Sequence, residues 1–255
     1  MPPVAGSYAW YRSTVGVTDA GGGAVSAWAD QSGNGRNLTQ GTAGNRPKTG
    51  TRTINGLNVI AFDGVDDFLA TGNLTQAQPF TIHLVFKLDA PLSGGAIPFN
   101  MGVDGPEILL FQQNYQAYSG GSTLNGQRAT DTLPHVVTAV FNGASSKLWL
   151  DGVYLKERNA GALGLTAEPI SLGYYLDPVT WKFPGVIGEV LVYASVLSDN
   201  DLHLNTMYLR SDWSIGAGGA YMPRDLRRGA YGVDADSARP HAKGESRSRR
   251  ARPGR

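Results

Sequence analysis

The chain has 255 residues and no cysteine, so neither a disulfide framework nor a thiolate metal centre is available to it. Its 34 glycines and 14 prolines fall between short apolar runs without a repeat, the composition of a turn-rich β chain and not of a helical bundle. A net charge of +1 hides an asymmetry: from Met222 onward ten Lys/Arg accompany four acids, leaving twelve basic against seventeen acidic residues before it, so a mildly acidic domain precedes a basic tail.

The opening stretch, Met1 to Val17, has no basic segment followed by an apolar core, and no run of ~18 apolar residues occurs anywhere. Neither a Sec-type signal peptide nor a membrane span is expected. Apolar or alternating runs then predict strands at Asn58–Phe62, Phe80–Leu88, Glu107–Phe111, Val136–Phe141, Lys147–Leu150, Pro169–Tyr174 and Val186–Tyr193. In the second of these, Phe80, Ile82, Leu84, Phe86 and Leu88 share one face. Thr81, His83, Val85 and Lys87 share the other, partly polar face, on which His83 reads as half-exposed. Asp151-Gly152 reads as a two-residue hairpin turn that tolerates positive φ. Val186, Ile187, Val190, Leu191, Val192 and Tyr193 form a largely β-branched and aromatic run, which places this strand deep in a sheet. The period changes at Ser198, a hydroxyl set to cap a helix whose first turn carries Asp199 and Asp201. Leu204, Met207, Tyr208 and Ser211 form the stripe expected to dock this helix, with Asp201, Asn205 and Arg210 left wet. Gly216, Gly218 and Gly219 end it. The tail beyond has almost no large apolar residues and is expected to be disordered when alone.

The elements together predict an all-β fold, a two-sheet antiparallel jelly-roll β-sandwich over residues 1–215 with one short C-terminal helix. A disordered basic tail, rich in glycine and arginine, is expected over 216–255. Trp10-Tyr11-Arg12, Gly16-Val17-Thr18, Val25 through Gly35, Asn45-Arg46-Pro47 and Phe62 through Leu69 resemble the opening of laminin-G-like domains of the concanavalin A-like superfamily. Leu148 through Gly152 and Gly188 through Ser198 resemble its middle and closing strands. The resemblance covers about residues 8 to 214 and is specific for fold more than for ligand, since the superfamily hosts lectins, adhesion modules, polysaccharide-cleaving enzymes and structural spacers. Domains of this style also occur in bacterial secreted proteins and phage appendages.

Relatives that hydrolyse glucans carry Glu-x-Asp-x-x-Glu on one strand, and no such spacing occurs here. A lyase-like grouping would draw on His83, Gln112, Gln113, Tyr115 and Tyr118. Asp63, Asp66 and Asp67 read as a tight turn around Gly64, or alternatively as oxygen ligands for a structural calcium. Asp30 through Gly35 matches only part of a calcium loop and lacks its terminal Glu. For sugar recognition, rings in loops beside amides and acids are the useful pattern. Tyr174, Tyr175, Asp177 and Trp181, in a segment whose Pro178 and Pro184 keep it out of a sheet, form the leading candidate site. Tyr115 and Tyr118 in an amide-rich stretch form the second.

The expectation is a non-catalytic binding or adhesion module that contacts a glycan or cell-surface polysaccharide. It would be a structural component of a phage virion appendage or bacterial surface assembly, in the virion or extracellular, beside other proteins of that assembly. A polysaccharide lyase or hydrolase and a purely structural decoration subunit are the alternatives. The basic tail would meet an acidic partner, and no cofactor beyond a structural calcium is in view.

Overall fold

Two antiparallel sheets face one another, and the strands on their facing surfaces are those whose large apolar side chains recur at every second residue. This computed structural model describes residues 1–92, 94–173 and 181–216. One sheet has seven strands, ordered Ala9–Arg12, Pro184–Tyr193, Phe80–Leu88, His135–Phe141, Ser146–Leu150 and Val153–Arg158. Its seventh strand, Ile60–Asp63, shares an edge with Ala9–Arg12: Ile60–Asp63 pairs with residues 184–187 of the long strand, and Ala9–Arg12 pairs with residues 189–192. The other sheet has nine strands, ordered Leu124–Ala129, Asn114–Tyr118, Glu107–Phe111, Gly95–Met101, Ile170–Leu172, Leu69–Ala70, Leu38–Thr39, Val25–Trp28 and Val17–Asp19. The two-sheet sandwich expected from the sequence is therefore present.

Phe80–Leu88 lies where its alternation predicts. Phe80, Ile82, Leu84, Phe86 and Leu88 enter the core between the sheets with Tyr11, Trp28, Phe99 and Phe141. Each such side chain contributes ~1.5–3 kcal/mol by leaving water. Its other face is a correction. His83 is fully buried, not half-exposed, together with Thr81 and Val85, because a second apolar cluster covers the outer side of the seven-stranded sheet. Trp10, Val85, Val136, Leu191, Leu209 and Trp213 belong to that cluster. The Asp151-Gly152 turn has φ of 53° and 81°, the doubly left-handed geometry that matches the twist of a hairpin.

The helix Asp199–Asp212 makes the outer cover, and the Ser198 hydroxyl accepts from the Asp201 N–H at 3.2 Å as its cap. Its docking face departs from the expected stripe. Leu202, Asn205, Thr206 and Leu209 are buried, whereas Leu204 and Met207 are 41% and 42% exposed. The cause lies in the sheet beneath. His83, Thr138 and Glu189 are buried there and need polar neighbours. Asn205 reaches within 3.5 Å of His83 Nε2, and the Tyr208 hydroxyl donates to Glu189 at 2.9 Å. A helix docked by its Leu204 and Met207 side would withdraw Asn205 and Tyr208 from these groups.

Candidate functional site

Strands Glu107–Phe111 and Asn114–Tyr118 form a hairpin whose turn is Gln112-Gln113, with φ of 49° and 61°. Two glutamines in the left-handed region are costly, since neither side chain relieves the Cβ clash there. Alternation sorts the hairpin by face. Ile108, Leu110, Tyr115 and Ala117 enter the core, so Phe111, Asn114, Gln116 and Tyr118 point the other way. Tyr115 must therefore be corrected as a sugar contact: it is fully buried, with its ring edge-on to Phe86 and His135. Tyr118 is half-buried on the outward face, opposite Glu107 in the register.

Trp181 arrives at the same end of the hairpin from a different part of the chain. Its ring stacks on Phe111, with centroids 5.1 Å apart and planes at 27°, and both rings are half-buried. Gly95, the cross-strand partner of Phe111, leaves the room for this pair, because a Cβ there would meet the Trp181 ring at 3.0 Å. The Trp181 backbone sits at φ 82° and its carbonyl accepts from the Ile97 N–H at 2.9 Å. A bulky residue in that conformation costs ~1–3 kcal/mol and persists where the surroundings hold it. The two segments singled out in the sequence thus meet at one place: the Trp181–Phe111 shelf, beside the exposed amides of Gln112 and Gln113. Tyr174, Tyr175 and Asp177 lie outside the described residues.

Farther along the same face is Glu107, only 4% exposed. Burial raises its pKa to about 8, helped by the charge of Asp104 and opposed by the Asn100 side-chain amide, which donates to its Oε2 at 3.2 Å. Asn100 Oδ1 is buried without a hydrogen-bond partner. The Asp63, Asp66 and Asp67 carboxylates lie within 4.8 Å of one another. Asp63 Oδ1 already accepts from the N–H groups of Val65, Asp66 and Asp67, and Asp67 Oδ2 accepts from the Asp63 N–H at 3.0 Å. These bonds make the tight turn expected from the sequence, with Asp63 and Asp67 organising its backbone. Burial, with Asp63 nearby, raises Asp67 to about 6. Asp30 is likewise a loop organiser. Its carboxylate accepts from the N–H groups of Trp10, Ser32 and Arg36.

His83 is sealed under the helix, where burial lowers its pKa to about 3 and Nδ1 lies 2.9 Å from the Thr138 hydroxyl. It cannot meet a substrate there. Sequence reasoning missed Phe111, which it read only as the end of a strand, and missed His135. The latter sits between Asp131 and Asp151, four and sixteen residues away, a grouping completed where strand His135–Phe141 pairs with Ser146–Leu150. Among the described residues no helix is long and apolar enough to cross a membrane.

No protein-family model matches this sequence, and no curated protein matches it. Solved structures do resemble the fold. Trypanosoma rangeli sialidase in complex with the inhibitor DANA aligns with a TM-score of 0.59 at 14% identity, over 82% of this chain and 34% of that one. Domain 4 of a GH43 extracellular arabinanase from Geobacillus stearothermophilus, in complex with arabinotriose, aligns at 0.56 and 15% identity, over 79% of this chain and 98% of that one. The receptor-binding domain of botulinum neurotoxin D aligns at 0.55 and 12%, over 80% and 52%. The chain therefore spans about a third of the sialidase and nearly all of the arabinanase domain. At such identities the likeness is one of fold.

Proposed function

We propose that this chain is a non-catalytic carbohydrate-binding module of the laminin-G-like, concanavalin A-like kind, contacting a glycan at the Trp181–Phe111 shelf. It would serve in a virion appendage or bacterial surface assembly, where its basic tail meets an acidic partner. The observation that carries the reading is Trp181: a half-buried ring at φ 82°, stacked on Phe111 and flanked by exposed amides. A sugar presents an apolar C–H face to such a ring and hydroxyls to such amides. One similar structure adds support, since the arabinanase domain that this fold covers almost entirely was solved with arabinotriose. Burial of His83 removes the histidine around which a lyase grouping would form.

A glycan array tests the reading. Wild-type protein is expected to bind a defined set of glycans, and Trp181→Ala to weaken that binding about tenfold or more, ~1.4 kcal/mol. Unchanged binding by the variant would remove the shelf as the site. The enzyme alternative has one observation in its favour, the raised pKa of Glu107, which suits a general acid. Product release from any array-positive polysaccharide, abolished in Glu107→Gln, would favour it instead.

A further inference from the structure

His135 opens strand His135–Phe141 with its side chain 7% exposed, and each ring nitrogen meets a carboxylate. Nδ1 lies 2.7 Å from Asp151 Oδ2, and Nε2 lies 2.8 Å from Asp131 Oδ1. A neutral imidazole has one N–H, while two carboxylate acceptors call for two, so the geometry is that of the imidazolium. Burial opposes that charge, and the bonds to Asp151 and Asp131 outweigh it, holding the pKa above 6.5. The remaining neighbours do not compete for the proton. Tyr115 packs its ring edge against the imidazole at 5.6 Å, and burial keeps its phenol neutral. Arg128 acts on Asp131, and Arg210 donates to the Asp151 carbonyl at 3.1 Å.

The two carboxylates are anchored unequally. Asp151 Oδ1 accepts from the Val136 N–H, and the Asp151 N–H donates back to the Val136 carbonyl, both at 2.8 Å. Asp131 has a 43% exposed side chain, in the loop after strand Leu124–Ala129, and accepts otherwise from the Leu133 N–H. The residue before it, Thr130, donates its N–H to the Gln113 carbonyl at 2.7 Å. Gln113 is the second residue of the strained turn that edges the Trp181–Phe111 shelf. A chain of direct bonds thus runs from the imidazolium through Asp131 and Thr130 to the rim.

We propose that protonated His135 holds Thr130 against Gln113 and so fixes the rim of the sugar site, making ligand binding strongest while His135 keeps its proton. The inference rests on the glycan reading above. The direction follows from linkage. The bonded form is the protonated one, so the rim is fixed below the His135 pKa and released as pH rises through it.

The test uses proton–nitrogen NMR of the full chain together with the glycan array at about pH 6 and about pH 9. The His135 ring is expected to titrate with a midpoint above 6.5, and the Thr130 and Gln113 amides to shift with the same midpoint. Array binding should be about tenfold weaker at the higher pH. In Asp131→Asn the midpoint should fall and the amide shifts should vanish, while a retained melting temperature shows the fold intact. Amides that ignore the His135 titration, or array binding equal at both pH values, would overturn the proposal. A silent array with amides still following His135 would instead overturn the sugar reading, and with it the binding half of this proposal.

Discussion

At the scale of single residues, the decisive fact on the outward face is which of two alternating sets faces the core. Tyr115 and Tyr118 were both legible as aromatics in an amide-rich strand, and the sequence placed them together. Only the partner sheet decides that Tyr115 is core and Tyr118 is not, because a strand's period of two is symmetric until something covers one face. Glu107, in the sequence only the first residue of an expected strand, emerges as a buried acid. In the unfolded chain it ionises near 4.5, in the fold not until about 8. Between those values the unfolded chain has lost a proton that the folded one keeps, so Glu107 makes stability fall as pH rises through that window. Glu107→Gln cannot ionise. Its melting temperature relative to wild type is expected to rise between about pH 5 and about pH 8.5, and a constant offset across thermal melts would contradict the assignment.

At the scale of elements, the helix shows how a polar requirement overrides an apolar pattern. The cap at Ser198 and the helix start were legible because capping is local. The docking face was not, because the groups that select it, His83, Thr138 and Glu189, lie on three strands distant in sequence. Glu189 is the clearest of them. Its carboxylate accepts from the Trp10 and Trp213 indole N–H groups, each at 2.8 Å, and from the Tyr208 hydroxyl at 2.9 Å. Arg12 bridges from its 3.5 Å contact with Glu189 to Asp212 at the helix end. Burial raises the Glu189 pKa and these donors oppose the rise, so the carboxylate depends on them. Trp213→Phe removes one donor from a buried carboxylate and is expected to cost ~1–3 kcal/mol in urea unfolding. Met207→Ser, on the exposed side of the helix, is expected to stay within ~0.5 kcal/mol. The reverse order would mean that the helix docks by the stripe first read from its sequence.

At the scale of the whole molecule, the seven runs expected as strands each meet a strand of the structure, because buried β structure needs apolar side chains at every second residue over short lengths, whereas Ala9–Arg12, Val25–Trp28, Gly95–Met101 and Asn114–Tyr118 were among those not expected. Phe80–Leu88 and Glu107–Phe111 occur with the expected bounds. Val186–Tyr193 grows only by Pro184 and Gly185. The sheet order was not legible, since Pro184–Tyr193 takes partners from residues 9–12, 60–63 and 80–88, and no local signal encodes such distant pairing. The candidate site inherits that limit. Trp181 could be singled out as a ring near prolines, but its meeting with Phe111, seventy residues earlier, required the fold.

The most direct measurement of the central claim is NMR mapping of the full chain with the strongest neutral glycan from the array. The account predicts that shifts concentrate at the Trp181 indole and at the Gln112 and Gln113 side-chain amides. Saturable shifts that cluster elsewhere, with these three groups unmoved, would contradict it.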